Sequence, residues 1–163
     1  MHLSPGNVTS LLTSTPLLLT RLADTRLGFS ASAVREIVRS VAIAPLSGAP
    51  AVIEGAINLR GTVIPVVDVR GRLGMPGREN SPDQLLVILE TSDRVIAVRV
   101  DEVDDVVHIP AADVEAPAAL SPALQRLAGV AATADGALVI YDADAFLTQA
   151  ERALLDERAA VGG

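Results

Sequence analysis

Residues 55–74 read GAINLRGTVIPVVDVRGRLG, and within them a polar turn stands directly in front of one of the most apolar stretches of the chain. The turn is NLRG, residues 58–61, and the run behind it, residues 63–66, is rich in β-branched side chains that favour a strand. Because residues 63–66 are apolar on both faces, we predict that both sides of this strand are covered. Pro65 lacks an amide hydrogen, so the strand should lie at a sheet edge or pass a bulge there.

The polarity alternates over the residues that follow, which is the period of a half-buried strand. One predicted face carries Val67, Val69 and Leu73, and the opposite face carries Asp68, Arg70 and Arg72. The whole stretch therefore predicts a strand anchored in the core, with the NLRG turn exposed at its start.

The segments on either side predict further short strands. Three hairpins are expected, formed by residues 17–23 with 26–30, 85–90 with 95–100, and 130–132 with 137–141. Asp135-Gly136 is a strong turn signal for the third hairpin, because both residues accept a positive φ. Many short strands separated by turn residues are typical of small closed barrels or a sandwich.

Two helices are predicted among these strands. The first is short and internal; it would be capped by Ser30 or Ser32, and its apolar stripe would be Val34, Ile37, Val38 and Val41. Arg35, Glu36 and Arg39 would then face outward. The second covers residues 142–158, and Phe146, Ala150, Ala153 and Leu154 would line its buried side.

Composition excludes several classes of function. The chain has 163 residues and no cysteine, so it predicts one domain or two small subdomains, without disulfides or Cys-ligated metals, in a reducing cytosol. All 13 cationic residues are arginines, which excludes lysine chemistry. A net charge of −7 with few aromatic residues argues against a nucleic-acid surface. We expect no cofactor and no direct membrane insertion, since no apolar window is long enough to span a bilayer.

Two polar features could carry chemistry. The acidic group DEVDD, residues 101–105, has hard-cation ligand atoms but lacks a calcium-loop frame, and Val103, Val106 and Val107 look buried. We interpret it as a solvated edge or turn. His108 is interpreted as a strand-end residue. A carboxylate-dependent enzyme using Asp101 and Asp104 is a remote alternative, because no nucleophile or metal set accompanies the pair.

Four segments, in order, resemble the CheW family of chemotaxis coupling proteins over about residues 17–150. The most specific is IEGAINLRGTVIPVVDVRGRLGMP, residues 53–76. The others are VREI at 34–37, VDEV followed by DVVHI within 100–109, and LAGVAATADGALVIYDAD at 127–144. The chain departs from the family pattern at Ser30, where aspartate is common, and at Tyr141, where leucine is usual.

The resemblance implies a mainly β fold of two small five-stranded SH3-like β-barrel subdomains around a shared core. The CheW-like domain would be residues 17–150; outside the resemblance, residues 1–16 are expected to form a flexible tail and 151–163 the end of the C-terminal helix and a tail. It implies an adaptor without enzymatic activity, cytoplasmic and recruited to membrane-associated receptor arrays through its partners. Those partners would be the cytoplasmic tip of a methyl-accepting chemoreceptor and the CheW-like regulatory domain of a CheA-type histidine kinase.

Partner-binding residues follow from the matched motifs. The residues carried over are Arg60, Glu36, Val34, Asn58, Gly61 and Gly55. We expect Arg60 to contact a partner rather than the carbonyls of its own loop, since its planar guanidinium suits amide and carboxylate recognition. The two glycines are expected to meet backbone requirements. A scaffold of a non-flagellar chemosensory pathway, serving surface motility or gene regulation, is an alternative.

Overall fold

The computed structural model describes residues 15–39, 41–70, 83–115, 129–133, 136–141 and 151–156. Strands dominate these residues. In chain order they are β1 (Thr15–Leu22), β2 (Thr25–Ser30), β3 (Val34–Arg39), β4 (Ile53–Leu59), β5 (Thr62–Val67), β6 (Leu85–Glu90), β7 (Val95–Val100), β8 (Glu102–Ile109), β9 (Val114–Glu115), β10 (Gly129–Thr133) and β11 (Gly136–Tyr141). Short 3-10 turns cover Ala31–Ala33 and Ala111–Asp113, and residues 151–156 are helical.

The strands form two small sheets, as the predicted mainly β fold of two SH3-like subdomains requires. One sheet has six strands in the order β8-β1-β2-β11-β10-β9, and the other has five in the order β3-β6-β7-β5-β4. The sixth strand of the larger sheet is the two-residue β9. The three predicted hairpins are confirmed as β1–β2, β6–β7 and β10–β11.

The connection after β3 joins the two edge strands of the five-stranded sheet. Ala44 exchanges backbone hydrogen bonds with Ala56 in β4, at 2.9 and 2.8 Å. The chain leaving β3 therefore pairs with β4 at the far end of the strand order. This pairing brings β3 close to the hairpin that contains the NLRG turn.

A shared core lies between the two sheets. Its largest cluster of buried side chains combines residues of the six-stranded sheet, such as Phe29 and Tyr141, with residues of the five-stranded sheet, such as Leu89 and Ile96. The Phe29 and Tyr141 rings stack with their centroids 6.3 Å apart. Burial of apolar surface from both sheets in one cluster binds the two subdomains together.

A polar junction also links the sheets. Asp101 follows β7 and precedes β8, so it lies where the chain crosses from one sheet to the other. Its carboxylate accepts hydrogen bonds from the Ala23 amide, at 2.7 Å, and from the Gln84 side chain, at 2.8 Å. Its own amide donates to the Arg21 carbonyl, at 2.8 Å. Asp101 thus ties the β1–β2 turn to the start of β6.

The predicted internal helix is wrong. Residues 34–39 form β3, an edge strand paired antiparallel with β6. Partly buried Val34, Glu36 and Val38 alternate with three exposed residues. Valine and isoleucine are stiff at χ1 and favour strands, so pairing with β6 prevails over the helical spacing. Ser30 caps no helix, and its hydroxyl bonds that of Ser32 at 2.9 Å.

The strand behind the NLRG turn differs from the prediction at both ends. Val63 is 66% exposed, so the strand is not covered on both faces there. At the other end β5 stops at Val67, and Arg70 is 3% exposed rather than outward-facing, because it packs beside Asp101 at the junction. Leu73 and Arg72 lie outside the described residues.

Pro65 lies where β5 has a partner on one side only. β5 pairs with β4 along Thr62–Val67, but its pairing with β7 involves only Val66 and Val67. The predicted edge position therefore holds for the half of the strand that contains the proline.

The C-terminal helix is confirmed over residues 151–156, but its buried side is not the predicted one. Leu155 is buried in the shared core, whereas Ala153 and Leu154 are exposed. Phe146 and Ala150 lie outside the described residues, as does the tail before Thr15. In the part of the chain that the structure describes, no helix has the length and apolar character needed to cross a membrane.

Candidate functional site

The NLRG turn closes the β4–β5 hairpin with Arg60 and Gly61 at its tip. Leu59 pairs with Thr62, which leaves a two-residue loop between the strands. Arg60 has φ +51° and Gly61 has φ +88°, so both occupy the left-handed region. Positive φ at both central residues is the requirement of a type I′ hairpin turn, in which glycine is preferred and arginine is unusual.

Asn58 supports this turn from within. Its side-chain oxygen accepts a hydrogen bond from the Gly61 amide, at 2.9 Å. This side-chain-to-backbone bond satisfies a donor that the tight turn leaves without a strand partner. Asn58 therefore helps to hold the backbone on which the arginine is displayed.

Arg60 forms an ion pair with Glu36. Its Nη2 atom lies 2.5 Å from Glu36 Oε1, and the side chains are 70% and 33% exposed, respectively. Glu36 is on β3, so the pair joins two segments that are distant in sequence. The guanidinium is thus held by a carboxylate of another strand rather than by carbonyls of its own loop.

The pair borders a groove of about 330 Å³ at one end of the five-stranded sheet. Its lining residues are Arg35, Glu36, Leu59, Arg60, Thr62, Ile64, Ile88 and Val95. The apolar members belong to, or pack against, the separate core cluster of this sheet. The groove consequently has a charged rim over apolar side chains that are themselves largely buried, so its accessible surface is more polar than apolar.

Gly55 and Val34, like Asn58 and Gly61, lie outside the groove lining. A Cβ atom at Gly55 would stand 2.2 Å from the Ala44 carbonyl oxygen and 2.8 Å from Ile43 Cγ2, so the bridge between β4 and the β3 connection requires glycine. Val34 is partly buried and packs against the shared core. The structure therefore gathers Arg60, Glu36, Asn58 and Gly61 at one place, whereas Gly55 lies at the bridge to Ala44 and Val34 at the shared core.

Sequence reasoning did not identify most of the groove lining. Ile88 and Val95 come from the β6–β7 hairpin, and Arg35 comes from a strand that was predicted as a helix. The sequence gives no local signal for Ile88 or Val95, because their position depends on the order of strands in the sheet.

A model of the CheW-like domain matches residues 16–151. The chain belongs to this family. The Chemotaxis protein CheW of Klebsiella aerogenes is 28% identical over 141 residues, which is 85% of each chain. That of Rhizobium meliloti is 34% identical over 99 residues, covering 61% of this chain and 64% of the relative.

One further relative has a different name, and another has a solved structure. Protein FrzA of Myxococcus xanthus is 33% identical over 97 residues, 60% of this chain and 61% of that protein. Among solved structures, the scaffolding protein TtCheW from Thermoanaerobacter tengcongensis superposes with a TM-score of 0.72 at 29% identity, covering 83% of this chain and 90% of that chain. The predicted membership of the CheW family is confirmed.

A second charged cluster of this CheW-like domain is structural. Arg99 is 4% exposed and donates to Glu54 Oε1 and, at 3.3 Å, to Gln84 Oε1. Burial raises the pKa of Glu54, with Asp68 adding to the rise and Arg99 opposing it. Burial likewise lowers the pKa of Arg99, which Glu54 opposes. Both shifts indicate that removal from water outweighs the attraction within the pair.

The acidic group at 101–105 is confirmed as a solvated edge apart from Asp101. Asp104 and Asp105 are exposed on β8, an edge strand, and exposed His108 lies near its end. Val106 was predicted to be buried but is 45% exposed, because it lies on the outward face of β8 and alternates with partly buried Val107. Across the described ranges, no group of three or more His, Cys, Asp or Glu side chains could hold a metal ion.

Proposed function

We propose that this chain is a non-enzymatic chemotaxis adaptor that couples the cytoplasmic tips of chemoreceptors to a CheA-type histidine kinase. It would work in the cytoplasm without a cofactor and join membrane-associated receptor arrays through these partners. Family membership supports the adaptor role. The groove bordered by Arg60 and Glu36, hereafter the Arg60 groove, supplies a surface of suitable chemistry.

The observation that carries the proposal is the backbone conformation of Arg60. A residue with a Cβ atom in the left-handed region costs about 1–2 kcal/mol relative to the right-handed helical region. Glycine or asparagine would form the same turn with less strain. An exposed arginine at φ +51° is thus unfavourable for folding alone. Its retention is explained if the guanidinium is needed for recognition.

The geometry also defines what a partner should present. Arg60 carries several N–H donors, and the bond to Glu36 uses one of its two terminal nitrogens. A partner carboxylate or carbonyl could accept from the remaining donors, while an apolar side chain enters the groove beside Ile64, Ile88 and Val95. Glu36 would hold the guanidinium in place before binding, which lowers the entropy lost on association.

The structure bears differently on the two alternative functions, a carboxylate-dependent enzyme and a scaffold of a non-flagellar pathway. The carboxylate-enzyme hypothesis loses support, because Asp101 already accepts hydrogen bonds from Ala23 and Gln84 at the junction between the sheets. A role in a non-flagellar chemosensory pathway uses the same surfaces and differs only in the partners. Partner identity decides between the two pathways.

Reconstitution tests the proposal. The kinase and a receptor cytoplasmic fragment from the same genome are mixed with ATP, and phosphate incorporation into the kinase is followed with and without this chain. We expect the receptor to change kinase phosphorylation only when the chain is present, and Arg60→Ala to abolish this dependence. Unchanged phosphorylation with the wild-type chain, or phosphate incorporated by the chain in the absence of any kinase, would contradict the adaptor role.

A further inference from the structure

The described part of the C-terminal helix, residues 151–156, includes the last residue matched by the family model. One side of it faces the body of the protein. Leu155 enters the shared core, which also contains Leu89 of β6 and Ile96 of β7. Arg152 lies three residues before Leu155 and four before Asp156, so its side chain neighbours both on the helix surface, with Leu155 buried and Asp156 exposed.

Two ion pairs join the helix to the β6–β7 turn. Arg94 Nη2 donates to Asp156 Oδ1 at 2.8 Å, and Arg152 Nη1 lies 3.2 Å from Asp93 Oδ2. Arg94 also lies 3.5 Å from Asp93 Oδ2, so the four charges alternate in sign. The Arg94 side chain is only 15% exposed, whereas its partners Asp156 and Asp93 are 71% and 41% exposed, so the guanidinium is held in place on the protein side while solvent reaches the carboxylates.

The β6–β7 turn is internally braced. The Thr91 amide donates to the Arg94 carbonyl at 2.7 Å, and the Arg94 amide donates to Thr91 Oγ1 at 3.0 Å. A displacement at Asp93 or Arg94 would therefore carry the whole turn with it.

Both ends of this turn reach the groove. Val95, the first residue of β7, is part of the groove lining. Glu90, the last residue of β6, lies 3.6 Å from Arg35, which is another lining residue. The end of the groove formed by the β6–β7 hairpin is thus attached through the turn to the C-terminal helix.

We infer that Arg94 is a positioning residue, which, together with Asp93, Arg152 and Asp156, holds the β6–β7 end of the Arg60 groove against the C-terminal helix. The helix would then set the shape of a groove that it does not line. The effect on binding rests on the proposed function, whereas the effect on the turn does not.

The test replaces Asp156 by alanine and uses Asp104→Ala as the matched control. Both aspartates are exposed, but Asp104 lies on β8 of the six-stranded sheet, whereas the β6–β7 turn belongs to the five-stranded sheet. Because alanine is a better helix former than aspartate, Asp156→Ala does not weaken the helix by propensity. Asp156→Glu, which can restore the ion pair, serves as the rescue variant.

Two readouts are measured on the full chain. Hydrogen exchange, followed by peptide mass spectrometry, should be several-fold faster at residues 90–95 in Asp156→Ala than in the wild type or in Asp104→Ala. Affinity for the kinase regulatory domain or receptor fragment, measured by titration, should fall about two- to tenfold, which corresponds to roughly 0.4–1.4 kcal/mol of coupling. Asp156→Glu should recover both.

The two readouts test different parts of the inference: the contact between helix and turn, and the effect of the turn on binding. Unchanged exchange at residues 90–95 in Asp156→Ala would overturn the positioning role of the Arg94–Asp156 pair, because this variant leaves the Arg152–Asp93 pair in place. Faster exchange with unchanged affinity would show that the groove does not depend on the turn, and the positioning role would be rejected. If Arg60→Ala binds both partners normally, the proposed function fails, and the exchange result still decides whether the helix holds the turn.

Discussion

Arg60 Nη2 and Glu36 Oε1 are 2.5 Å apart, although the two residues are separated by 24 positions in the chain. This contact brings together the two segments, VREI and NLRG, that the sequence suggests as partner-binding motifs. It connects edge strand β3 to the tip of the β4–β5 hairpin across the groove. The charged rim of the groove therefore depends on the tertiary fold rather than on either motif alone.

Reversing the charge of Glu36 should separate binding from folding. Glu36→Lys places an ammonium beside the Arg60 guanidinium and removes its acceptor. Because the Arg60 side chain is 70% exposed, solvent screens the pair although Glu36 is partly buried, and we expect the free energy of unfolding to change by less than about 1 kcal/mol. Affinity for one partner should fall. Denaturant titration measures the stability, and a loss above about 3 kcal/mol would instead mark Glu36 as a structural residue.

Val67 and Val63 provide a matched comparison within one strand. Val67 is fully buried in the shared core, whereas Val63 is exposed. Val67→Ala should lower the free energy of unfolding by roughly 1–3 kcal/mol, since it deletes buried methyl groups and leaves a cavity. Val63→Ala should lower it by less than about 0.5 kcal/mol. Equal losses in thermal or denaturant unfolding would contradict the burial assigned to β5.

Gly55 and Gly61 should respond differently to alanine. At Gly55 the added Cβ would collide with the Ala44 backbone, which can yield only if the bridge between β4 and the β3 connection shifts. We expect a loss of about 1–3 kcal/mol or more. At Gly61 there is open space, and only the positive φ costs about 1–2 kcal/mol. A greater loss at Gly61 in the same unfolding assay would count against the close approach at Gly55.

The buried pair of Glu54 and Arg99 should make stability depend on pH. Burial raises the pKa of Glu54 in the folded state, so the stability contributed by its protonated form is present below the ordinary glutamate value of about 4.3 and is lost as pH rises through the folded pKa. The wild type should therefore lose stability relative to Glu54→Gln as pH rises from about 4. The opposite trend would show that attraction to Arg99 exceeds the cost of burial.

Removing one partner should also cost more than removing both. Arg99→Met leaves the largely buried Glu54 carboxylate without its partner, and we expect a loss of about 3–5 kcal/mol. Replacing Glu54 by leucine and Arg99 by methionine together should cost less than either single change, because neither charge then remains buried. Denaturant unfolding of the four proteins forms a double-mutant cycle, and purely additive losses would argue against coupling.

The hairpins were predictable because their information is local. Alternating polarity and turn residues predict β6, β7 and their connection with the observed ends. The NLRG turn was equally clear, since its glycine and asparagine have direct backbone roles. The family resemblance, carried by four ordered segments, added the division into two subdomains.

The errors arose where tertiary contacts override local spacing. The apolar positions from Val34 onward fit a helix, but pairing with β6 makes them a strand. Arg70 alternates like a solvent-facing residue, yet it is buried near Asp101. The Glu36–Arg60 contact and the groove depend on strand order, which no short window of sequence encodes.

The most direct test of the Arg60 site is titration calorimetry of Arg60→Asn against the kinase regulatory domain and the receptor tip. Asparagine tolerates positive φ, so the variant should be at least as stable as the wild type. If Arg60 is a central contact, the affinity of the Arg60→Asn protein for at least one partner should fall by about 2 kcal/mol or more, which is roughly thirtyfold. A folded Arg60→Asn protein that binds both partners with wild-type affinity would contradict the role of Arg60 as a partner contact.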